Sequence, residues 1–289
     1  MKIICPTFAE MISEEMWTPK ISIIISTYNS EKWLEKVLWG FNCQTFKQFE
    51  VVIADDGSGL KTKSLLDSIS IDVFYKIVHV WQEDDGFQKS RILNKAVVAC
   101  NAEYILMTDG DCIPRKDFVE THFTNREEGY FISGGYFMLP MNISKQITKT
   151  DIEQQNCFNL NWLFERGISN TFKTNKLRAK GLMAKLLNTF TPTNASWNGH
   201  NSSGWKKDLI KINGFDERMQ YGGQDRELGE RLVNFGVKSK QMRYSAICIH
   251  LDHKRGYKTQ SSIDKNKMIC KETRRKKLVW SKYGIVKSA

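Results

Sequence analysis

The sequence lacks most of the features that assign a chain to a class at a glance. None of its seven cysteines forms a C-x-x-C pair, no G-x-G-x-x-G follows the first apolar run, and there is no G-x-x-x-x-G-K-[ST]. The odd cysteine count, with thiols set inside apolar runs such as "VVAC" and "AICIH", argues against a zinc site or a disulfide framework. Reduced thiols in a cytoplasmic protein are expected. The other two absences remove the dinucleotide fingerprint and the P-loop as ways of holding phosphate. No window approaches about 18 uncharged apolar residues, so no segment is expected to span a membrane. The opening "MKIICPTFAEMISEEMWTPK" lacks the apolar core and cleavage site of a signal peptide. Zinc-finger spacing, an RRM signature and internal repeats are missing as well.

What is present is an ordinary globular composition, 41% hydrophobic and 26% charged over 289 residues, ample for a sizeable core. A net charge of +11 favours anionic partners: nucleic acid, an anionic membrane face or phosphate-bearing small molecules.

From Ile21 onward, apolar runs alternate with helical spacings. "ISIIIST", "FEVVIADD", "YKIVHVWQ" and "EYILMTDGD" predict four buried strands. Between them, Trp33, Leu34, Val37, Leu38 and Phe41, then Leu65, Leu66 and Ile69, then Ile92, Leu93, Ala96, Val97 and Cys100 fall on helical faces. Pro114 is expected to open a further helix through "RKDFVETHF". This repetition predicts an α/β fold with a mostly parallel sheet and helices on both faces. The rhythm then breaks. "YFISGGYFMLP" reads as another strand, residues 142–190 as a Lys/Arg-bearing helical insertion, and "QDRELGERLVNFG" as a helix closed by Gly236. With no linker visible, residues 20–258 are expected to form one domain, and 259–289 a basic helical extension.

The strand ends carry the most information. Asn29 follows the first strand; Asp55 and Asp56 the second; Gln82, Glu83, Asp84 and Asp85 the third; Asp109 and Asp111 the fourth. In an open parallel sheet these carboxyl ends line one edge, where ligands bind. A single Asp-Gly tip is common turn chemistry. Four polar tips together predict one acidic mouth in a basic protein. Asp109 and Asp111 there suit a hard cation, Mg²⁺ or Mn²⁺, bridging to a substrate diphosphate with help from Arg91 and Lys95. Such a metal would stabilise a leaving diphosphate as a Lewis acid.

On these residues the sequence resembles a known family. "ISIIISTYNSEKWLEKVLWGFNCQTFKQFEVVIADDGS" and "GFQKSRILNKAVVACNAEYILMTDGDCIP" are similar, motif by motif, to the nucleotide-sugar half of family 2 inverting glycosyltransferases, which have the GT-A (Rossmann-like) fold. That similarity covers about residues 20–125. Within 126–258, "NGHNSSGWKKDLIKINGFDERMQYGGQDRELGERL" and "ICIHLDHKR" resemble the acceptor half of galactosyltransferase-like and chondroitin-polymerase-like enzymes. The resemblance implies that Thr27, Asn29 and Asp56, with Asp55 beside it, hold the nucleoside, and that Arg91 and Asn94 lie near the diphosphate and sugar. It further implies that Asp109 touches ribose and metal, that Asp111 ligates the metal, and that His250, or else His253, completes the site.

Asp225 is the implied catalytic base, since inverting transfer needs one carboxylate to deprotonate the acceptor hydroxyl. An Asp in a first helical turn also suits plain capping. The family's W-G-G-E-D is Tyr221-Gly222-Gly223-Gln224-Asp225 here, a departure that bears on acceptor identity. Tyr221, Gln224, Trp197, Asn201 and Trp205 are the acceptor-side candidates, with core and turn roles as the alternative for the aromatic and amide residues.

The expected activity is transfer of a hexose or N-acetylhexosamine, from a UDP donor, to a glycan or lipid-linked acceptor in cell-surface polysaccharide or lipopolysaccharide synthesis. A sugar-phosphate nucleotidyltransferase would carry a Gly/Lys/Arg-rich loop where this chain has "STYNSEKW". A non-catalytic glycan-binding module would have lost a metal carboxylate or Asp225. The tail from Lys265, with Leu278, Val279, Trp280 and Tyr283 among its charges, and the 142–190 insertion suit either a solvated face or docking on an anionic membrane from the cytoplasmic side. The acidic mouth argues against nucleic acid.

Overall fold

A computed structural model describes residues 18–253 and 258–287; Cys5 and the rest of the N-terminal stretch lie outside them. Four strands, β1 (Ile21–Thr27), β2 (Phe49–Asp55), β3 (Ile77–Trp81) and β4 (Tyr104–Asp109), pair in parallel in the order β3-β2-β1-β4. They are joined by α1 (Glu31–Asn42), α2 (Leu60–Ile69) and α3 (Lys89–Ala99). Alternate side chains serve opposite layers. Ile23, Ile25, Ile53 and Leu106 cluster with Leu34 and Leu38 of α1 and Leu66 of α2, whereas Ile24, Val52, Ile105 and Met107 cluster with Ile92 and Ala96 of α3. Burial on both faces is why these strands read as unbroken apolar runs.

Pro114 does not open a helix. It ends a short strand, β5 (Cys112–Pro114), at the edge of the sheet and pairs with Cys248, where a missing N–H is tolerated. The helix α4 (Phe118–Thr124) starts only after the turn that follows.

The second half extends the same sheet. After β6 (Tyr130–Met138), the region expected as a helical insertion holds α5 (Met141–Gln146), α6 (Lys149–Glu153), α7 (Leu160–Glu165), α8 (Asn175–Arg178) and α9 (Gly181–Phe190). Then come β7 (Ser202–Trp205), α10 (Lys206–Lys211), α11 (Gln224–Asn234), β8 (Lys238–His250) and α12 (Gln260–Lys276). The full order is β3-β2-β1-β4-β7-β6-β8-β5, with β7 antiparallel to both β4 and β6. The long β6–β8 pair shifts register at Gly134/Gly135. A side chain at Gly135 would run into the Arg243 carbonyl, so glycine is required there.

Helix α11 carries a buried ion pair on its inner face that ties it to its neighbours. Arg231 grips both carboxylate oxygens of Glu227 at 2.8 Å and donates to the Ile212 and Gly214 carbonyls, while Thr273 of α12 donates to Glu227 Oε1 at 2.9 Å. Among the described residues, no helix is long and apolar enough to cross a membrane, and the six described cysteines are unpaired.

Candidate active site

The carboxyl ends of β1, β2 and β4 meet the start of α11 and the end of β8 around one cleft of about 670 Å³. Thr27, Asn29, Asp56, Asp109, Asp111, Asp225, His250 and His253 all line the cleft. Asn29 takes a left-handed conformation (φ 43°), and its side chain accepts the Gly59 N–H at 3.0 Å, which shapes the loop after β1. Asp56 accepts from Gln82 Nε2 at 2.6 Å and from the Gln88 N–H at 2.9 Å. Burial outweighs these bonds and pushes its carboxyl up to about 6.

A group of side chains able to hold a metal ion lies where β4 and β8 end. Ligand atoms of Asp111, His250 and His253 all lie within 4.8 Å of one another. His253 Nε2 is 3.1 Å from Asp111 Oδ2, and His250 Nε2 is 3.9 Å from Asp111 Oδ1. His250 Nδ1 is 2.8 Å from the Leu251 carbonyl, a bond that aims Nε2 at Asp111. The two rings are stacked, so both histidines reach the carboxylate and neither displaces the other. A two-imidazole, one-carboxylate donor set suits a divalent first-row metal ion.

Asp109 stands outside that set. Its Oδ1 takes Lys89 Nζ at 2.6 Å and Ser26 Oγ at 2.8 Å. Burial opposes its charge, but the Lys89 ammonium overcomes this and holds the carboxyl well below the usual range. Burial likewise opposes the charge on Lys89, yet Asp109, Asp225 and Asp111 keep it protonated above its ordinary range.

Asp225 enters the cleft because Gly222 and Gly223, both at positive φ (105° and 91°), turn the chain sharply into α11. Gln224 Oε1 accepts the Gly222 N–H at 2.9 Å, and Tyr221 packs edge-on against Phe87. The Asp225 carboxylate sits against Gly199, where an added Cβ would meet it at 2.9 Å. Its Oδ1 is buried with no hydrogen-bond partner. Burial, despite the nearby Lys89 charge, raises its carboxyl to about 6, near the ideal for a base working at neutral pH.

Six residues expected at the site do not line this cleft. Asp55 is fully buried, accepting from the Ser58 N–H and contacting His79 Nε2, so it shapes the turn after β2. Asn94 clamps the Phe215 backbone from both sides. Arg91 lies on a different face of α3, near Asp85 and Glu217. Trp197 is core, beside Phe131. Asn201 is buried, donating to the Gly135 and Ala246 carbonyls and meeting His122. Trp205 packs on Tyr104 and donates to the Glu127 carbonyl. Lys89, which the sequence motifs did not single out, is the lysine that lines the cleft among the described residues. Its signal was its position as the first residue of α3, directly behind the polar tip of β3. Asn266 of α12 was missed too: its Nδ2 reaches the carbonyls of Gln220, Tyr221 and Gly222 at 2.8–3.2 Å.

Comparisons with known proteins bear on the family and the fold. Residues 22–179 match glycosyl transferase family 2, and residues 189–254 match the family described as the N-terminal domain of galactosyltransferase. An uncharacterized glycosyltransferase of Bacillus subtilis, YfnE, is 26% identical over 275 residues, covering 86% of this chain and 68% of its own. The GalNAc(5)-diNAcBac-PP-undecaprenol beta-1,3-glucosyltransferase of Campylobacter jejuni is 26% identical over 141 residues, 47% of this chain and 44% of its own. Among solved structures, the Pyrobaculum calidifontis mannosyltransferase PcManGT with GDP-Man and Mn²⁺ superposes with a TM-score of 0.53 at 17% identity, over 84% of this chain and 59% of that one. S. aureus TarS 1-349 with UDP-GlcNAc gives 0.52 at 15% identity, over 82% and 60%. The α/β architecture is thus that of GT-A glycosyltransferases. The family match spans more than half of the sequence, and the chain belongs to glycosyl transferase family 2.

Proposed function

We propose that the protein is an inverting, divalent-metal-dependent glycosyltransferase that moves a sugar from a UDP donor to a glycan or lipid-linked acceptor of a cell-surface polysaccharide. One observation carries this reading: Asp225, with a buried and unpartnered oxygen, shares a cleft with Lys89 and the Asp111–His250–His253 cluster. Support for the donor comes from TarS, whose complex contains UDP-GlcNAc; support for the lipid-linked acceptor comes from the C. jejuni relative.

In this reading Asp111, His250 and His253 would hold Mn²⁺ or Mg²⁺, which would supply Lewis-acid chemistry when bound. Lys89 adds a positive charge beside the departing diphosphate. Thr27, Asn29 and Asp56 receive the nucleoside, with Asp56 accepting an N–H of the base edge. Asp225 accepts the proton of the acceptor hydroxyl. That oxygen then bonds to the anomeric carbon from the face opposite the leaving UDP, and configuration inverts. Tyr221 and Gln224 border the acceptor side.

Thermal shift against UDP, GDP, dTDP and CMP, with and without Mn²⁺, tests donor class and metal together. A UDP response strengthened by Mn²⁺ is expected. Indifference to every nucleotide would sink the proposal.

A further inference from the structure

Helix α9 turns its apolar side to solvent. Leu182, Met183, Leu186 and Phe190 are exposed at 72%, 45%, 49% and 76%, and Phe172 just upstream at 70%. With ~100° between successive residues, the four α9 side chains share one arc of about 100°. The other side of the helix is anchored. Ala184 packs with Tyr244, and Asn188 exchanges two hydrogen bonds with β8, from Nδ2 to Ser245 Oγ and from the Tyr244 N–H to Oδ1, both 2.8 Å. The helix cannot roll to hide its apolar arc without losing these bonds.

Charge identifies what covers that arc. No acidic residue occurs between Glu165 and Asp208, whereas Lys173, Lys176, Arg178, Lys180 and Lys185 lie on α9 or just before it. Arg243 of β8 joins them: burial first, then Arg243 and Lys173, bring the Lys176 ammonium down to about 8. The basic helix α12 differs, because its Arg274 and Lys276 are paired with Glu230 and Glu272 at 2.6 Å. A second copy of this chain would bring the same positive rim to a self-complementary contact and be repelled. An apolar arc rimmed by cations matches a helix lying in the boundary between headgroups and acyl chains.

We infer that α9 docks the protein on an anionic lipid bilayer, with Leu182, Leu186 and Phe190 entering the acyl boundary and Lys173, Arg178, Lys180 and Lys185 meeting headgroup phosphates. The surface adjoins the cleft. Lys176 Nζ donates to the Tyr136 carbonyl at 2.9 Å, and the Tyr136 ring lies 4.6 Å from that of His200 and 5.7 Å from that of His250. Docking would therefore bring the His250 corner close to the membrane surface, on the side a lipid-linked acceptor would use.

Co-sedimentation of the full chain with phosphatidylcholine vesicles, with and without phosphatidylglycerol, tests the inference. Partition onto the anionic vesicles alone is expected, weakened by salt. Leu186→Glu/Phe190→Glu should lower it at least tenfold with thermal midpoint and UDP binding unchanged. If that variant misfolds, Lys180→Gln and Lys185→Gln provide the second arm, each lowering partition about fivefold. No partition, equal partition onto neutral vesicles, or no loss in either set of variants overturns the inference. So does a doubled mass in light scattering that Phe190→Glu abolishes, which assigns the face to a second copy. Partition is read without turnover, so the result stands apart from the proposed transfer reaction.

Discussion

Lys89 Nζ lies 2.6 Å from Asp109 Oδ1, and the same ammonium is held protonated by Asp225 and Asp111 as well. Among the described residues, one lysine thus faces three carboxylates of the cleft. Lys89→Ala should lower kcat/KM by about 10²–10³, the usual loss when a charge-stabilising group is removed. Arg91→Ala should change it by no more than about threefold, because Arg91 lies outside the cleft and its nearest carboxylates are at 3.6 and 3.9 Å. Steady-state kinetics on the two variants decides between the assignments, and a larger loss in Arg91→Ala would reverse them.

The distinction between Lys89 and Arg91 marks where the sequence stops being legible. Helix α3 is evident from its apolar spacing, but residues two positions apart on a helix differ by about 200° in direction. A family motif names a helix more securely than a side chain on it. Asp111, Asp225 and the pair His250/His253 were legible because each follows a strand end or a glycine turn, where the chain has few other places to go. Asn201 and Trp197 were not. Their polar-aromatic neighbourhood reads like a sugar platform, yet β7 joins the two halves of the sheet at its centre, so both side chains are enclosed. Pro114 misled for a related reason: proline suits a helix start and an edge strand equally, and only the pairing with β8 decides.

Asp225 ties activity to pH. With its carboxyl raised to about 6, kcat/KM should climb as pH passes 6 and level off above 7. Stability should follow the opposite sign. The folded-state value lies above the ordinary one, so this group's stabilisation is full below about 4 and is lost as pH rises through about 6. At pH 7.5, without metal or donor, Asp225→Asn should abolish transfer yet raise stability by about 1–3 kcal/mol. Calorimetry and a transfer assay on one preparation check both signs.

Removal of a proposed metal ligand should be read through nucleotide binding. Asp111→Asn and His253→Ala are expected to weaken the Mn²⁺-dependent part of UDP affinity by about 10–100-fold, leaving the metal-free part unchanged. Isothermal titration with Mn²⁺ and again with EDTA separates the two. Equal affinities in EDTA and Mn²⁺ for the unaltered protein would refute the assignment.

The Glu227–Arg231 pair on the buried face of α11 has a structural role. Arg231→Met would strand a buried carboxylate and should lower unfolding free energy by about 3–5 kcal/mol. Adding Glu227→Gln should restore much of that loss, since the stranded charge is then gone. Urea titration of the single and double variants measures the difference, and a double variant as unstable as the single would count against the argument.

Asn266 links α12 to the glycine turn before Asp225. Its Nδ2 reaches three successive carbonyls, those of Gln220, Tyr221 and Gly222, and Ser262 Oγ donates to the Tyr221 carbonyl at 3.0 Å. These bonds hold the loop that aims Asp225, while neither residue lines the cleft. Asn266→Ala should therefore reduce kcat about tenfold and leave the affinity for UDP and Mn²⁺ unchanged, because small misplacements of a base strongly affect transfer. Both family matches end before α12 begins, so this dependence could not have been carried over from their motifs. If Asn266→Ala weakened UDP binding as much as turnover, α12 would be supporting the cleft as a whole and not the turn at Gly222-Gly223.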